Sequence, residues 1–266
     1  HVPIDIVGYT QFEVSFISEQ DLESEDFSFQ FTSFPEQLDG DVEQLVAHDE
    51  GEEVQELLKL CDVLQNTDIV TGHNIIGFDN LQVYERIQYL LQHCSTLSSD
   101  EAKRFRAFLD SYARQDRDYH FGSPQQTAIF YPASFDTYLA ARKFYSLDSY
   151  TLGSVASFLD VNLADRIELS PEEMALDERT LLYNRQDVME QAAITLYLLQ
   201  QALPLSFTTG MPFELLLSSG ATKMWDYMAM IRAVRHKKMM PAICRAQSVA
   251  AGIRDLGCTK HDIVDQ

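Results

Sequence analysis

Extended and helical segments alternate along this chain, and the change from strand to helix just after Gly72 most constrains its fold. Segments 3–18 and 27–34 are rich in β-branched and aromatic residues and are predicted to be strands. Apolar residues recur at helical spacing in 52–65. Residues 68–72 form a short apolar strand that leads at once into another helix. This order predicts an α/β fold, a mixed sheet flanked by helices.

The second half of the chain is predicted to be mainly helical. The polar stretch from Ser95 to Tyr119 is predicted to be a surface insertion, and 128–131 to be a strand. The longest helix is expected from about Asp177 to Gln201, with Pro204 marking its end, because proline breaks the helical hydrogen-bond ladder. One further helix is predicted to be capped by Asp79 or Asn80. Two more are predicted to begin at Ser134-Phe-Asp136 and at Ser149-Tyr150-Thr151-Leu152. The last two helices are predicted to cover 213–218 and 221–235.

The charge is strongly acidic and unevenly distributed. Asp and Glu number 41 against 20 Lys and Arg, for a formal net charge of −21. Residues 1–57 hold sixteen acids, whereas 221–266 holds eight basic residues and four acids. A negative field repels nucleic acid unless a local basic surface overcomes it, so 221–266 is either that surface or a solvated helix face. The excess of acids also suits a cytoplasm rich in salt.

Several protein classes have no support in the sequence. No apolar stretch approaches the roughly 18 residues of a membrane span, and no signal-peptide pattern opens the chain. No Cys-x-x-Cys pair, His-x-x-x-His pair, phosphate-binding loop or serine nucleophile elbow is present. We therefore expect a reduced, cytoplasmic protein without a zinc ribbon or a disulfide framework. Its four cysteines are Cys61, Cys94, Cys244 and Cys258.

Two carboxylates occupy positions that suit chemistry. Asp79 lies where a strand gives way to a helix, a location that ligand sites favour in α/β folds. Tyr183 and Asp187 have the i, i+4 spacing that places a phenol and a carboxylate on one helix face. Such carboxylates can bind Mg²⁺ or Mn²⁺, and a tyrosine beside them can orient a water molecule. Taken alone, however, an Asp at the position of Asp79 is usually a helix cap, Asp187 is more often a surface carboxylate, and Tyr183 is a core or half-buried aromatic residue.

Taken together, the motifs give the chain a family resemblance. Asn74-Ile-Ile-Gly-Phe78-Asp79 is similar to the second exonuclease motif of family B DNA polymerases, Asn-x-x-x-Phe/Tyr-Asp. Tyr183-Asn-Arg-Gln-Asp187 is similar to the third, Tyr-x-x-x-Asp. The chain thus resembles the 3′–5′ exonuclease (proofreading) domain of these polymerases, of archaeal or bacterial type, over roughly residues 40–241. Segments Ser134–Tyr138, Leu147–Leu152, Gly210–Pro212 and 218–241 match the connecting pattern and the helical link towards the palm.

The resemblance implies a fold, a reaction and a set of site residues. The fold would be the ribonuclease-H-like exonuclease fold with a helical C-terminal extension. The reaction would be hydrolysis of the terminal phosphodiester of single-stranded DNA at a site with two Mg²⁺ or Mn²⁺ ions. Asp79 and Asp187 would be metal ligands, and Tyr183 would orient the attacking water. Asn74 and Phe78 would shape the pocket for the 3′-terminal nucleotide.

The family's first motif, Asp-x-Glu, does not occur on any early strand of this sequence. In one interpretation Asp5, within Ile4-Asp5-Ile6-Val7, is a degenerate first motif and a third metal ligand. In the other, which we favour, 3–9 is the second strand of the fold and the Asp-x-Glu pair precedes residue 1. In either case the metal site within this sequence has about half of its negative charge.

The function expected is that of a proofreading domain in a family B DNA-directed DNA polymerase. The alternatives are a weak or inactive exonuclease-fold module that only binds DNA or supports the polymerase core, and a free-standing exonuclease. The polymerase motifs of the palm are absent, so this fragment cannot polymerise DNA. We divide it into an exonuclease domain, 1–203, and a helical link, 204–266. Expected partners are a single-stranded 3′ end, the primer–template, the remaining polymerase chain and a sliding clamp, but no membrane, in a nucleoid-associated cytoplasmic location.

Overall fold

A computed structural model describes most of the chain, namely residues 4, 6–20, 27–33, 35, 41–116, 127–130, 133–170, 172–173 and 175–238. Four strands come first among the described residues, and helices predominate after Glu50. The strands are β1 (Ile6–Tyr9), β2 (Ser15–Gln20), β3 (Phe27–Ser33), β4 (Glu43–Val46), β5 (Val70–Gly72), β6 (Ala113–Asp116), β7 (Thr127–Phe130) and β8 (Ser134–Asp136). The helices are α1 (Glu50–Gln65), α2 (Asp79–His93), α3 (Ser99–Tyr112), α4 (Thr137–Phe144), α5 (Leu152–Leu159), α6 (Glu178–Thr209), α7 (Phe213–Ser218) and α8 (Ala221–Arg235).

The strands pair in small sheets rather than in one continuous sheet. Within the described ranges, β1 pairs with β4, β2 with β3 and β6 with β7, all antiparallel, whereas β5 and β8 run parallel. In the parallel pair, Gly72 lies opposite Asp136, so the two strands end side by side. The mixed strand directions and the flanking helices confirm the predicted α/β class, and they are consistent with a ribonuclease-H-like exonuclease domain.

One apolar core forms between α1, α2 and α3. Asp49 caps α1 by accepting a hydrogen bond from the amide of Glu52, and the apolar side of α1 is buried as its spacing predicts. Phe105 and Phe108 of α3 are fully buried in the same core. The prediction that 95–119 is a surface insertion is therefore wrong for α3. Most residues of this helix are polar or charged, but its two phenylalanines form an apolar face that packs into the core.

The long helix α6 extends beyond its predicted end. It begins after the cap residue Asp177 and spans 32 residues, with Pro204 inside it. Pro204 has no N–H to donate to the carbonyl of Gln200, yet the neighbouring Leu203 is buried in the core, and its packing keeps the chain helical. The helix ends instead at Gly210, whose left-handed φ of 65° favours glycine. The predicted boundary between 1–203 and 204–266 falls inside α6. The division into two domains remains a prediction.

A second core supports the ends of β5 and β8. It contains Phe135 of β8 together with apolar residues of α4, α5, α6 and α7. A side chain at Gly8 of β1 would collide with Asn184 of α6, so this strand lies directly against the helix. None of the helices in the described ranges is both long and apolar enough to cross a membrane.

Candidate active site

A tight turn connects β5 to α2 and carries three of the predicted site residues. Asn74 has a left-handed φ of 63°, and its carbonyl accepts hydrogen bonds from the amides of Gly77 and Phe78 at 3.1 and 2.9 Å. Phe78 occupies the cap position of α2 without a side-chain cap, so the prediction that Asp79 or Asn80 caps this helix is wrong. The turn leaves Phe78 57% exposed.

Asp136 fixes this turn from the end of the neighbouring strand. Its carboxylate accepts hydrogen bonds from the backbone amides of Asn74 and Ile76 at 3.1 and 3.2 Å. The same carboxylate caps α4 by accepting from the amides of Tyr138 and Leu139. Burial raises the pKa of Asp136 to about 6, even though these four hydrogen bonds act to lower it. The sequence indicated only that a helix begins here.

Asp79 is the first residue of α2 and has solvent contact beside the turn. Desolvation by the surrounding protein nevertheless raises the pKa of its carboxyl group to about 6. The two observations agree if the carboxylate faces water on one side while protein atoms replace most of its hydration shell. A carboxylate in that position gains from a cation that replaces the lost hydration.

Buried polar groups connect the turn to α6. The hydroxyl of Thr137 lies within hydrogen-bond distance of His73 Nδ1 at 3.2 Å and of Gln191 Oε1 at 3.0 Å. His73 Nε2 contacts the Tyr150 carbonyl oxygen at 2.7 Å, and burial lowers the pKa of its imidazole. Gln191 lies one turn beyond Asp187. This network therefore fixes α6 relative to the residue that precedes Asn74.

On α6, Tyr183 and Asp187 are in contact, as their spacing predicts. Desolvation and the neighbouring Asp187 carboxylate together raise the pKa of Tyr183. Desolvation also raises the pKa of Asp187, outweighing the opposite effects of Arg166 and of the Tyr183 hydroxyl. Both residues line a cavity of about 550 Å³ between α5, the segment 162–169 and α6. Asn74, Phe78 and Asp79 do not line this cavity.

Arg166 is the main partner of Asp187. Its Nη2 donates to Oδ1 of Asp187 at 2.7 Å, and its Nη1 contacts Glu190. The Glu190 side chain has no solvent exposure and also accepts from the amide of Leu163 at 2.9 Å. The sequence analysis missed both Arg166 and Glu190. A position three residues after Asp187 could have pointed to Glu190, whereas no local pattern marks Arg166.

The described residues do not by themselves fit a site for two divalent metal ions. Asp79 and Asp187 are described, but Asp5 lies outside the described residues. Within the described ranges, no group of three or more His, Cys, Asp or Glu side chains is placed to hold a metal ion. Arg166 already supplies Asp187 with a positive charge. Hard cations of this type need several oxygen ligands, and these residues do not provide enough of them.

Comparison with known protein families finds a match over the first part of the chain, which ends before Tyr183 and Asp187. The family described as "DNA polymerase family B, exonuclease domain" matches residues 11–155, which include the turn at Asn74–Asp79, β8 and α4. A comparison of the chain with curated proteins finds no match. The match spans more than half of the 266 residues. The chain therefore belongs to DNA polymerase family B, and it carries the 3′–5′ exonuclease domain of that family.

Proposed function

We propose that this domain binds the 3′ end of single-stranded DNA within a family B DNA polymerase and hydrolyses it weakly or not at all. The observation that carries the proposal is the ion pair between Arg166 and Asp187, because the described part of the chain holds no group of three or more side chains placed to bind a metal ion. A nuclease site of this class needs metal ions to stabilise the charge that develops on the phosphate. Binding does not need them.

The turn and the cavity support a binding role. Phe78 presents an exposed ring on which a terminal base can stack, and stacking tolerates every base. The cavity beside Tyr183 offers hydroxyl and amide groups from Thr151, Ser157 and Asn162. Because the whole chain is acidic, binding must depend on such local contacts rather than on the net charge.

A second candidate function is metal-dependent proofreading hydrolysis, and one observation favours it. A groove of about 730 Å³ lies between the segment Tyr9–Phe16, β5 and α6. Within the described ranges β1 and β5 each pair on one side only, and the buried hydroxyl of Thr10 in this groove has no hydrogen-bond partner. An additional strand in the groove would pair with both sheets and satisfy Thr10. If that strand carried the Asp-x-Glu motif, it would add the missing carboxylates.

Two measurements separate these functions. Fluorescence anisotropy with an internally labelled linear single strand, compared with an internally labelled circular strand of the same length, tests for recognition of a free end. Incubation of the labelled strand with Mn²⁺ or Mg²⁺ tests for shortening, with Asp79→Ala and Asp187→Ala as controls. We expect preference for the free end and little shortening. Rapid shortening that both substitutions abolish would establish the second candidate, and equal affinity for the circular strand would refute end binding.

The remaining interactions are proposals of the same kind. The exonuclease domain of this family implies DNA and the rest of the polymerase as partners. Contact with a primer–template, a sliding clamp or the nucleoid is inferred from the family alone. The basic residues beyond Lys238 and the whole of 242–266 lie outside the described residues.

A further inference from the structure

Arg166 is held in place from two sides. Its Nη1 contacts the buried carboxylate of Glu190, which the amide of Leu163 also holds, while its Nη2 donates to Asp187. The Arg166 side chain retains 20% of its exposure, so the guanidinium forms part of the cavity wall. A planar guanidinium with several fixed donors suits this arrangement better than an ammonium would.

This arrangement matters for any cation that approaches Asp187. The carboxylate already receives a charge-assisted hydrogen bond from Arg166 at 2.7 Å. A divalent ion at Asp187 would lie within a few ångströms of the guanidinium charge, and that repulsion is strong where water is partly excluded. Arg166 cannot relieve the repulsion by losing its proton. It could only rotate away, which would leave the buried Glu190 without its charged partner.

We propose that Arg166 is a built-in counter-ion that excludes divalent metal ions from Asp187, and that Glu190 is the positioning residue that holds Arg166 there. The proposal deepens the proposed function, on which it rests for the role of Asp187, because it names the internal group that keeps this part of the site without metal. The positive charge that a metal ion would supply is provided by the protein itself.

Mn²⁺ binding tests the proposal without any need for catalysis. The whole chain is titrated with Mn²⁺, and the free ion is measured by its electron paramagnetic resonance signal. Asp187→Asn is made in the natural chain and in Arg166→Gln. In each background, the Mn²⁺ that the Asp187→Asn variant still binds is attributed to other acidic positions and subtracted. In the natural sequence, Asp187→Asn should leave Mn²⁺ uptake unchanged. In Arg166→Gln, one Mn²⁺ should bind at least about tenfold more tightly than to the natural chain, and Asp187→Asn should abolish that gain.

Matched variants make each outcome decisive. Arg185→Gln removes a different arginine, which lies on α6 and forms a 3.5 Å pair with Asp41 on the surface, and this variant should behave as the natural chain does. Arg166→Lys keeps one positive charge and should still exclude Mn²⁺. The proposal is overturned if Asp187→Asn lowers Mn²⁺ uptake in the natural chain, a test that does not require Arg166→Gln to fold. It is also overturned if a folded Arg166→Gln binds no additional Mn²⁺.

The failure of this proposal differs from a failure of the proposed function. Loss of the counter-ion role appears as Mn²⁺ uptake that depends on Asp187, whatever the affinity for DNA. Loss of the proposed function appears as equal anisotropy for linear and circular strands, whatever the Mn²⁺ titration shows.

Discussion

The backbone amide of Asn74 donates a hydrogen bond to Oδ1 of Asp136 over 3.1 Å, although the two residues lie 62 positions apart. This contact joins the ends of the parallel strands β5 and β8, where Gly72 lies opposite Asp136. A buried carboxylate thereby determines the shape of the turn that presents Phe78 and Asp79. The exposed part of the site depends on a residue that has almost no solvent contact itself.

The raised pKa of Asp136 predicts a pH-dependent stability. Burial raises this pKa from 3.8 to about 6, so the folded state binds the proton more tightly than the unfolded state does. The stability that Asp136 contributes is therefore full below about pH 4 and falls as the pH rises through about 6, by up to about 3 kcal/mol. Urea unfolding of the natural chain and of Asp136→Asn measures the difference in their free energies of unfolding. Across this pH range, that difference should change by the same amount.

Asp177 provides a matched control, because it is also an aspartate that caps a helix. Hydrogen bonding to the amide of Thr180 lowers the pKa of Asp177, which lies on the surface. The difference in free energy of unfolding between the natural chain and Asp177→Asn should therefore change in the opposite direction. The stability that Asp177 contributes is lost as the pH falls. A pH-independent difference for Asp136→Asn would show that its carboxyl group does not titrate as inferred.

Two substitutions of Asn74 separate the role of its backbone from that of its side chain. Asn74→Ala places an alanine at a φ of 63° and should destabilise the fold by about 1 kcal/mol, whereas Asn74→Gly relieves that strain. If the amide group contacts the terminal nucleotide, both variants should lose affinity for a 3′ end in the anisotropy assay. Weaker binding by Asn74→Ala alone would instead assign the effect to the turn, and thermal unfolding of both variants would confirm it.

Phe78 should contribute to DNA binding and little to stability. Its ring is 57% exposed, so Phe78→Ala removes little buried surface. Loss of one stacked base costs about 1–3 kcal/mol, which predicts about fivefold or greater weakening of single-strand binding. Phe158→Ala is the control, since that ring is 53% exposed on α5 and packs beside Tyr145. Equal effects of the two substitutions on binding would remove Phe78 from the site.

Local patterns in the sequence predicted the elements better than the contacts between them. Helical spacing predicted α1 and α2, and the i, i+4 spacing predicted that Tyr183 and Asp187 lie on one helix face, because each signal lies within a few residues. The burial of Phe105 was missed, since the charged residues around it conceal the apolar face of α3. Arg166 was missed for another reason, because its partners lie 21 and 24 positions away and no local spacing encodes such a pair.

The cost of removing Glu190 tests how firmly this long-range pair is built into the fold. Its carboxylate is fully buried and holds both Arg166 and the amide of Leu163. Glu190→Ala leaves a partly buried guanidinium without its anchor, so we expect a loss of about 3–5 kcal/mol in the free energy of unfolding. Glu190→Gln keeps an acceptor for Leu163 and should lose less. Urea unfolding measures both variants.

Asp41 supplies the comparison for Glu190, since it pairs with Arg185 on the same helix but lies almost fully exposed. Water screens that pair, so Asp41→Ala should leave the unfolding midpoint unchanged. If Glu190→Ala lowered the free energy of unfolding as little as Asp41→Ala does, Arg166 would be able to pair with other groups without loss of stability. The guanidinium would then be free to leave Asp187, and a metal ion could take its place. A large loss limited to Glu190 would instead show that the fold itself holds Arg166 against Asp187.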